Sequence, residues 1–219
     1  SNLNRKSPPD MGAHEWSLLI TDYHTLAATA ITQTTATLNG DINTNGEVVE
    51  TYLQWGLTTS YGGYGIPVGY NPSQPKVRST TLVPLNAPIT GLTPNTTYHF
   101  QLLGFPSTSS QATLYGADLT FTTLPLAPAV VTTAATSVTA SAATLNGTVN
   151  ANGGSSTVTI EYGLTTSYGT TIAATPGSVT GSTVTPVLAS ITGLTPYTTY
   201  NYRVVGVNTG GNTNGNDMT

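Results

Sequence analysis

Apolar and polar residues alternate along most of this chain. Ala36, Leu38, Gly40 and Ile42 fall on one phase, with Thr37, Asn39 and Asp41 on the other. The same period sets Thr51, Leu53 and Trp55 against Glu50, Tyr52 and Gln54, and Tyr98, Phe100 and Leu102 against His99, Gln101 and Leu103. A period of two marks half-buried strands, whose successive side chains leave opposite faces of a sheet. No helical period competes with it. Asn-Gly pairs at 39–40, 45–46, 146–147, 152–153 and 214–215 punctuate the pattern, and each is read as a turn or strand end with left-handed backbone. Short alternating strands between turn signals predict an all-β sandwich.

The pattern is written twice. Ala36-Thr37-Leu38-Asn39-Gly40 recurs as Ala143-Thr144-Leu145-Asn146-Gly147, and Trp55-Gly56-Leu57-Thr58-Thr59-Ser60-Tyr61-Gly62 as Tyr162-Gly163-Leu164-Thr165-Thr166-Ser167-Tyr168-Gly169. Both lie 107 residues apart, and 15 of the 27 residues from 36 to 62 are identical to their counterparts, so this is a true internal repeat. The alternation keeps its phase in the second copy, through Ala143, Leu145 and Val149, then Val158, Ile160 and Tyr162, then Tyr200, Tyr202 and Val204. The division that follows is an N-terminal extension over 1–24, one domain over 25–124, a linker over 125–128 and a second domain over 129–219. Pro125 and Pro128 make the linker semi-rigid, and the pair should behave as a short rod.

Two further segments carry a resemblance. Gly91-Leu92-Thr93-Pro94-Asn95-Thr96-Thr97-Tyr98 and Gly193-Leu194-Thr195-Pro196-Tyr197-Thr198-Thr199-Tyr200 resemble the corner between the fifth and sixth strands of fibronectin type III domains. The Tyr-Gly-Leu-Thr-Thr-Ser-Tyr-Gly segment is similar to one in bacterial secreted fibronectin-like modules. The resemblance implies two tandem immunoglobulin-like (fibronectin type III-like) β-sandwiches, with Tyr98 and Tyr200 as structural tyrosine corners. It also implies a secreted or bacterial cell-surface location. Leu38 and Leu145 stand where that family usually has Trp. Asp10-Met11-Gly12-Ala13-His14-Glu15-Trp16 resembles the tail that closes bacterial surface parallel β-helix domains, which suggests a larger parent protein. Ser1 without a hydrophobic signal region reads as a processed form or a fragment.

Composition narrows the function. The 219 residues hold five Lys or Arg and nine Asp or Glu, 6% charged against the ~25% usual in soluble domains. Five cations on a chain of net charge −4 cannot neutralise a phosphate backbone, so no nucleic acid is expected as a partner. No apolar run reaches the ~20 residues of a membrane-spanning helix. Cysteine is absent, which removes disulfides and thiolate chemistry. Threonine supplies 45 residues, which favours strands and keeps them soluble without charge.

Candidate chemistry is sparse. From 129 to 219 the charged residues are Glu161, Arg203 and Asp217, and Glu161 with Arg203 reads as a cross-strand ion pair. In the first copy Asp41, Glu47, Glu50, Lys76, Arg78, His99 and Asp118 are scattered, without the spacing of a nucleophile triad or phosphate loop. No catalytic residue, metal site or cofactor is expected. His14, Glu15, Asp22 and His24 match no standard metal spacing, and His99 reads as an ordinary solvated histidine. The loop over 61–72 places Tyr64 and Tyr70 on glycine-supported backbone, candidates for stacking on a sugar or protein. Asp118-Leu119-Thr120 runs on into Phe121-Thr122-Thr123, whereas its counterpart is Asp217-Met218-Thr219, so the second copy is expected to lack most of its final strand. Leu18, Leu19 and Ile20 are the candidate strand-exchange segment for the resulting groove in a neighbour. The expected function is a non-enzymatic extracellular structural or spacer module, with filament assembly by strand exchange as an extension. The alternative is an adhesin or carbohydrate-binding accessory module. Expected partners are further copies of the chain, other surface proteins, or glycans.

Overall fold

The β-branched, charge-poor segments fold as their period demands. The computed structural model describes residues 19–62, 65–69, 75–107 and 110–219, and among these residues it holds sixteen strands and no helix. In the first repeat, β1 (Asp22–Thr29), β2 (Thr35–Asn43) and β6 (Val83–Thr90) form one sheet in the order β1-β2-β6. The second sheet is built from β3 (Val49–Gly56), β4 (Ile66–Val68), β5 (Lys76–Val77), β7 (Thr97–Pro106), β8 (Leu114–Tyr115) and β9 (Leu119–Thr122). Its path is β4-β3-β7-β8, with β5 also on β3 and β9 also on β7.

The second repeat runs β10 (Ala129–Thr136), β11 (Ala142–Asn150), β12 (Ser155–Gly163), β13 (Thr170–Thr180), β14 (Thr185–Thr192), β15 (Asn201–Asn208) and β16 (Gly211–Asn214). Their order, β10-β11-β14-β13-β12-β15-β16, repeats the first copy's, with β13 linking the two layers. It pairs with β12 over most of its length and touches β14 through Thr175 opposite Leu188. The ladder with β12 breaks between Thr157 and Thr159, opposite Pro176 and Gly177, as expected where a residue without an amide proton interrupts a strand.

By chain contacts the described residues fall into two compact units. One is built on Asn39–Ala87 and Phe100–Leu119, with the residues up to Leu26; the other on Ala27–Leu38, Pro88–His99 and Thr120–Thr219. That partition crosses strands of the first repeat and does not follow the linker.

The interior is made by the alternating phase. Leu38, Ile42, Leu53, Phe100 and Leu102 are enclosed in the first repeat, and Leu145, Val149, Val158, Ile160, Tyr202 and Val204 in the second. Each buried aliphatic or aromatic side chain contributes about 1.5–3 kcal/mol by leaving water. The alternation fails on β7, where Gln101 and Leu103 are buried as well. This central strand is flanked on both edges, and its outer face has packing of its own, including Tyr52 edge-on to Phe105 at 5.7 Å.

One sequence expectation needs correction. Asn39-Gly40 and Asn146-Gly147 are not turns; they lie inside β2 and β11, and neither glycine has a positive φ. Close approach requires these glycines, because a Cβ on Gly40 would stand 2.9 Å from the His24 carbonyl oxygen. One on Gly147 would stand 2.5 Å from that of Val131. By contrast, Asn45-Gly46 (φ 50 and 84) and Asn152-Gly153 (φ 51 and 86) are left-handed turns. The last edge of the second repeat is built from a tight hairpin. The Asn208 side-chain oxygen accepts the Gly210 and Gly211 amides, turning β16 back onto β15. Pairing then continues to Met218, which exchanges both backbone hydrogen bonds with Tyr202.

Candidate functional site

The charged side chains of the described residues are tied to their neighbours. Glu161 on β12 lies opposite Arg203 on β15, and the guanidinium donates to its carboxylate at 2.8 Å. The same guanidinium sits 4.6 Å from the centre of the Tyr168 ring, and the Tyr168 hydroxyl donates to Asp217 at 3.0 Å. The first repeat has the corresponding clasp, with the Tyr61 hydroxyl donating to Asp118 at 2.7 Å. Burial and then the Asp118 carboxylate raise the Tyr61 pKa far above its ordinary value, and Tyr168 is raised for the same reasons, partly opposed by Arg203. Elsewhere Lys76 meets Glu50 at 3.5 Å, Arg78 donates to the Gly46 carbonyl, and the His24 ring meets Asp41 at 2.7 Å.

Both clasp tyrosines have left-handed backbone, φ 52 at Tyr61 and 59 at Tyr168. A bulky residue there is strained, and the loop tolerates it because Gly56 and Gly163 leave room for the returning chain. A Cβ on Gly56 would lie 2.7 Å from the Tyr61 Cα. The Tyr-Gly-Leu-Thr-Thr-Ser-Tyr-Gly segment is therefore a loop clasped to an aspartate beside the final strand. Its Asp118 and Asp217 partners were missed from sequence. The available signal was their recurrence as isolated acids at matching places in both copies.

The sequence-derived candidates divide. Tyr64, Tyr70, Leu18, His14 and Glu15 lie outside the described residues, as does the segment resembling a β-helix tail. Leu19 is exposed, whereas Ile20 is buried within its own chain. The Ile20 amide donates to the Gln111 side chain at 3.0 Å, and the Ile20 carbonyl accepts from it at 2.9 Å. At the two corners the Tyr98 hydroxyl accepts the Thr93 amide at 2.9 Å, and the Tyr200 hydroxyl accepts the Thr195 amide at 3.1 Å. That donated bond favours the phenolate and lowers the Tyr200 pKa. Asp22 lies 3.8 Å from the His24 ring. Among the described residues no group of three or more His, Asp or Glu is placed to hold a metal ion. No helix among them is long and apolar enough to cross a membrane.

A concavity lies at one end of the second repeat. A groove of about 460 Å³ is lined by apolar side chains of β10, β11 and β14, among them Ala135, Leu145 and Ile191, and by the corner from Leu194 to Tyr200. Its lining residues are all uncharged. It can take an apolar or aromatic side chain, and the titratable side chains in its lining are the phenols of Tyr197, Tyr200 and Tyr202.

Sheet order and the hydroxyl-to-amide corners define a fibronectin type III-like β-sandwich, an all-β fold. No protein-family model matches the chain, and no curated protein does. Solved structures similar to it include the sensor domain of the anti-sigma factor RsgI4 in Pseudobacteroides cellulosolvens. That domain is 18% identical over 49% of this chain and 96% of its own, with a TM-score of 0.36. A segment of two fibronectin type III domains from chicken tenascin is 14% identical over 90% of this chain and 97% of its own, with a TM-score of 0.32. Similarity at that level assigns no activity and no ligand.

Proposed function

We propose that the chain is a non-enzymatic structural spacer of a secreted or bacterial surface protein, made of two sandwiches over 25–124 and 129–219 joined by the proline-containing linker. The observation that carries this reading is what the rare charged groups do. Glu161 with Arg203 and Lys76 with Glu50 bridge neighbouring strands, and Tyr61 with Asp118 and Tyr168 with Asp217 close loops onto the sheet. Charge is placed where it holds the scaffold. Polar surface comes instead from threonine, which suits a strand-rich module exposed to water. The linker supports the reading too, since the Leu126 and Ala127 carbonyls accept bonds from the Asn208 and Asn152 side chains.

The test sets the spacer against the adhesin. The chain and a Tyr64→Ala, Tyr70→Ala double variant are screened on a glycan array and against the surface proteins of candidate source bacteria. A spacer gives no signal that depends on the two tyrosines. A glycan or protein signal lost in the double variant overturns the reading in favour of a binding module.

A further inference from the structure

The two repeats carry different chemistry on one outward face. In the second repeat Glu161 and Arg203 form their ion pair across β12 and β15, Thr159 lies opposite Val205, and Asn214 of β16 flanks Val205 on its other side. In the first repeat the corresponding places hold Gln54 and Gln101, Tyr52 and Leu103, and Tyr115 of β8, which is paired with Leu103. The place of Val207 is taken by Phe105. Where the second repeat has an ion pair, the first has two amides. Where the second has a threonine, an asparagine and a valine, the first has three aromatic rings.

These side chains share the outer face of the β4-β3-β7-β8 sheet, since they alternate with the enclosed Leu53, Phe100, Leu102 and Leu114. Tyr52, opposite Pro67 on β4, meets Phe105 edge-on, the ring centres 5.7 Å apart and the planes at 78°. That contact braces the Phe105 ring without covering it, for Phe105 is 40% exposed and Tyr115 61%. Leu103, buried between them, is the floor of the patch. Phe105 is two residues along β7 from the partner of Tyr115, so the two exposed rings lie on a diagonal of about 7–8 Å. At the margin the Glu50 carboxylate is neutralised by Lys76 at 3.5 Å. On a chain that surfaces its strands with threonine, rings left in water on one repeat alone mark a contact site.

From this contrast we infer that the outer face of the first repeat binds an uncharged β-1,4-linked glycan, laid across Phe105 and Tyr115. The occupant follows from the chemistry of the face. Its acid and base cancel each other, and amides stand where the second repeat has an ion pair, so an anionic or cationic chain finds no counter-charge. An equatorially linked pyranose has a flat apolar face of C–H bonds ringed by hydroxyls. The C–H face covers an exposed ring, and the half-buried Gln54 amide can donate to and accept from the hydroxyls at its rim. The diagonal between the two rings matches the length of about one disaccharide, so each ring takes one sugar. The inference goes beyond the spacer reading and does not rest on it.

The probes are cellohexaose and mannohexaose, each titrated to about 10 mM into the isotope-labelled chain, enough to reveal a Kd of about 1 mM. At least one should shift the resonances of Gln54, Leu103, Phe105 and Tyr115 and leave those of Thr159, Val205, Val207 and Asn214 in place. Phe105→Val with Tyr115→Asn, which installs the residues of the second repeat at two exposed positions, should weaken binding about tenfold or more while the remaining spectrum stays that of the folded chain. The inference is overturned if neither sugar moves the face, if the double variant binds equally well, or if the second repeat responds to the same extent. Sedimentation that shows a dimer dispersed by the same double variant would also overturn it and give the face to a second copy of the chain. The spacer reading is decided separately, because binding at this face survives the Tyr64→Ala, Tyr70→Ala change that the adhesin alternative does not.

Discussion

At the scale of single residues, the clasps and the crowded glycines decide the most. The hydroxyl of Tyr61 bonds the Asp118 carboxylate at 2.7 Å, and a Tyr61→Phe change should cost about 1 kcal/mol in a denaturant titration at pH 7. Its pH dependence follows from the raised pKa. The folded chain keeps the phenol proton above pH 10, where the unfolded chain releases it. The stabilisation is complete below about pH 10 and fades as pH climbs beyond it, so the Tyr61→Phe and Tyr168→Phe chains should lose less stability than the parent between pH 9 and 12. An equal alkaline loss in both would refute the assignment. Gly147 is a harsher site, since a Cβ there meets the Val131 carbonyl oxygen and the Val204 side chain, each at 2.5 Å. Gly147→Ala should destabilise the second repeat by about 2 kcal/mol or more, read as a lower midpoint. Ser156 works in the opposite direction. Its hydroxyl is fully buried with no hydrogen-bond partner among the described residues, so Ser156→Ala should raise stability by about 1 kcal/mol.

Strands and loops show what the sequence could and could not reveal. Alternation read the inward phase of β2, β3, β11 and β12 directly, because a half-exposed strand must segregate its two faces. The opposition of Glu161 and Arg203 was legible for the same reason. Alternation failed where burial comes from neighbours on both edges, at Gln101 and Leu103, and where Asn-Gly serves close packing instead of a turn. Pairings across the sandwich were also invisible. The buried Thr132 hydroxyl on β10 accepts the Val204 amide of β15 at 3.1 Å, as the Thr25 hydroxyl accepts that of Leu102, and no local pattern announces a bond between residues 72 or 77 positions apart. Thr132→Val would leave the Val204 amide unsatisfied and should cost about 1–3 kcal/mol, with faster amide exchange at Val204 as the specific sign. Unchanged protection at Val204 would remove the bond from the account. The reach of pairing to Met218 required the fold.

At the scale of the whole molecule, the proposal is that this chain bears load and sets distance, with sheet hydrogen bonds and apolar interiors as its working parts. The recurrence of left-handed residues at 30 and 137, 45 and 152, 61 and 168, and 95 and 197 shows that the backbone design is repeated along with the sequence. A repeated sandwich under tension should resist until its ladders break together, and each repeat should then extend as a unit. Single-molecule force spectroscopy on the chain tests this most directly. The account predicts two separate unfolding events, each lengthening the chain by about 300 Å, the reach of some ninety extended residues. One event releasing the whole length at once, or smooth extension without a force peak, would contradict it.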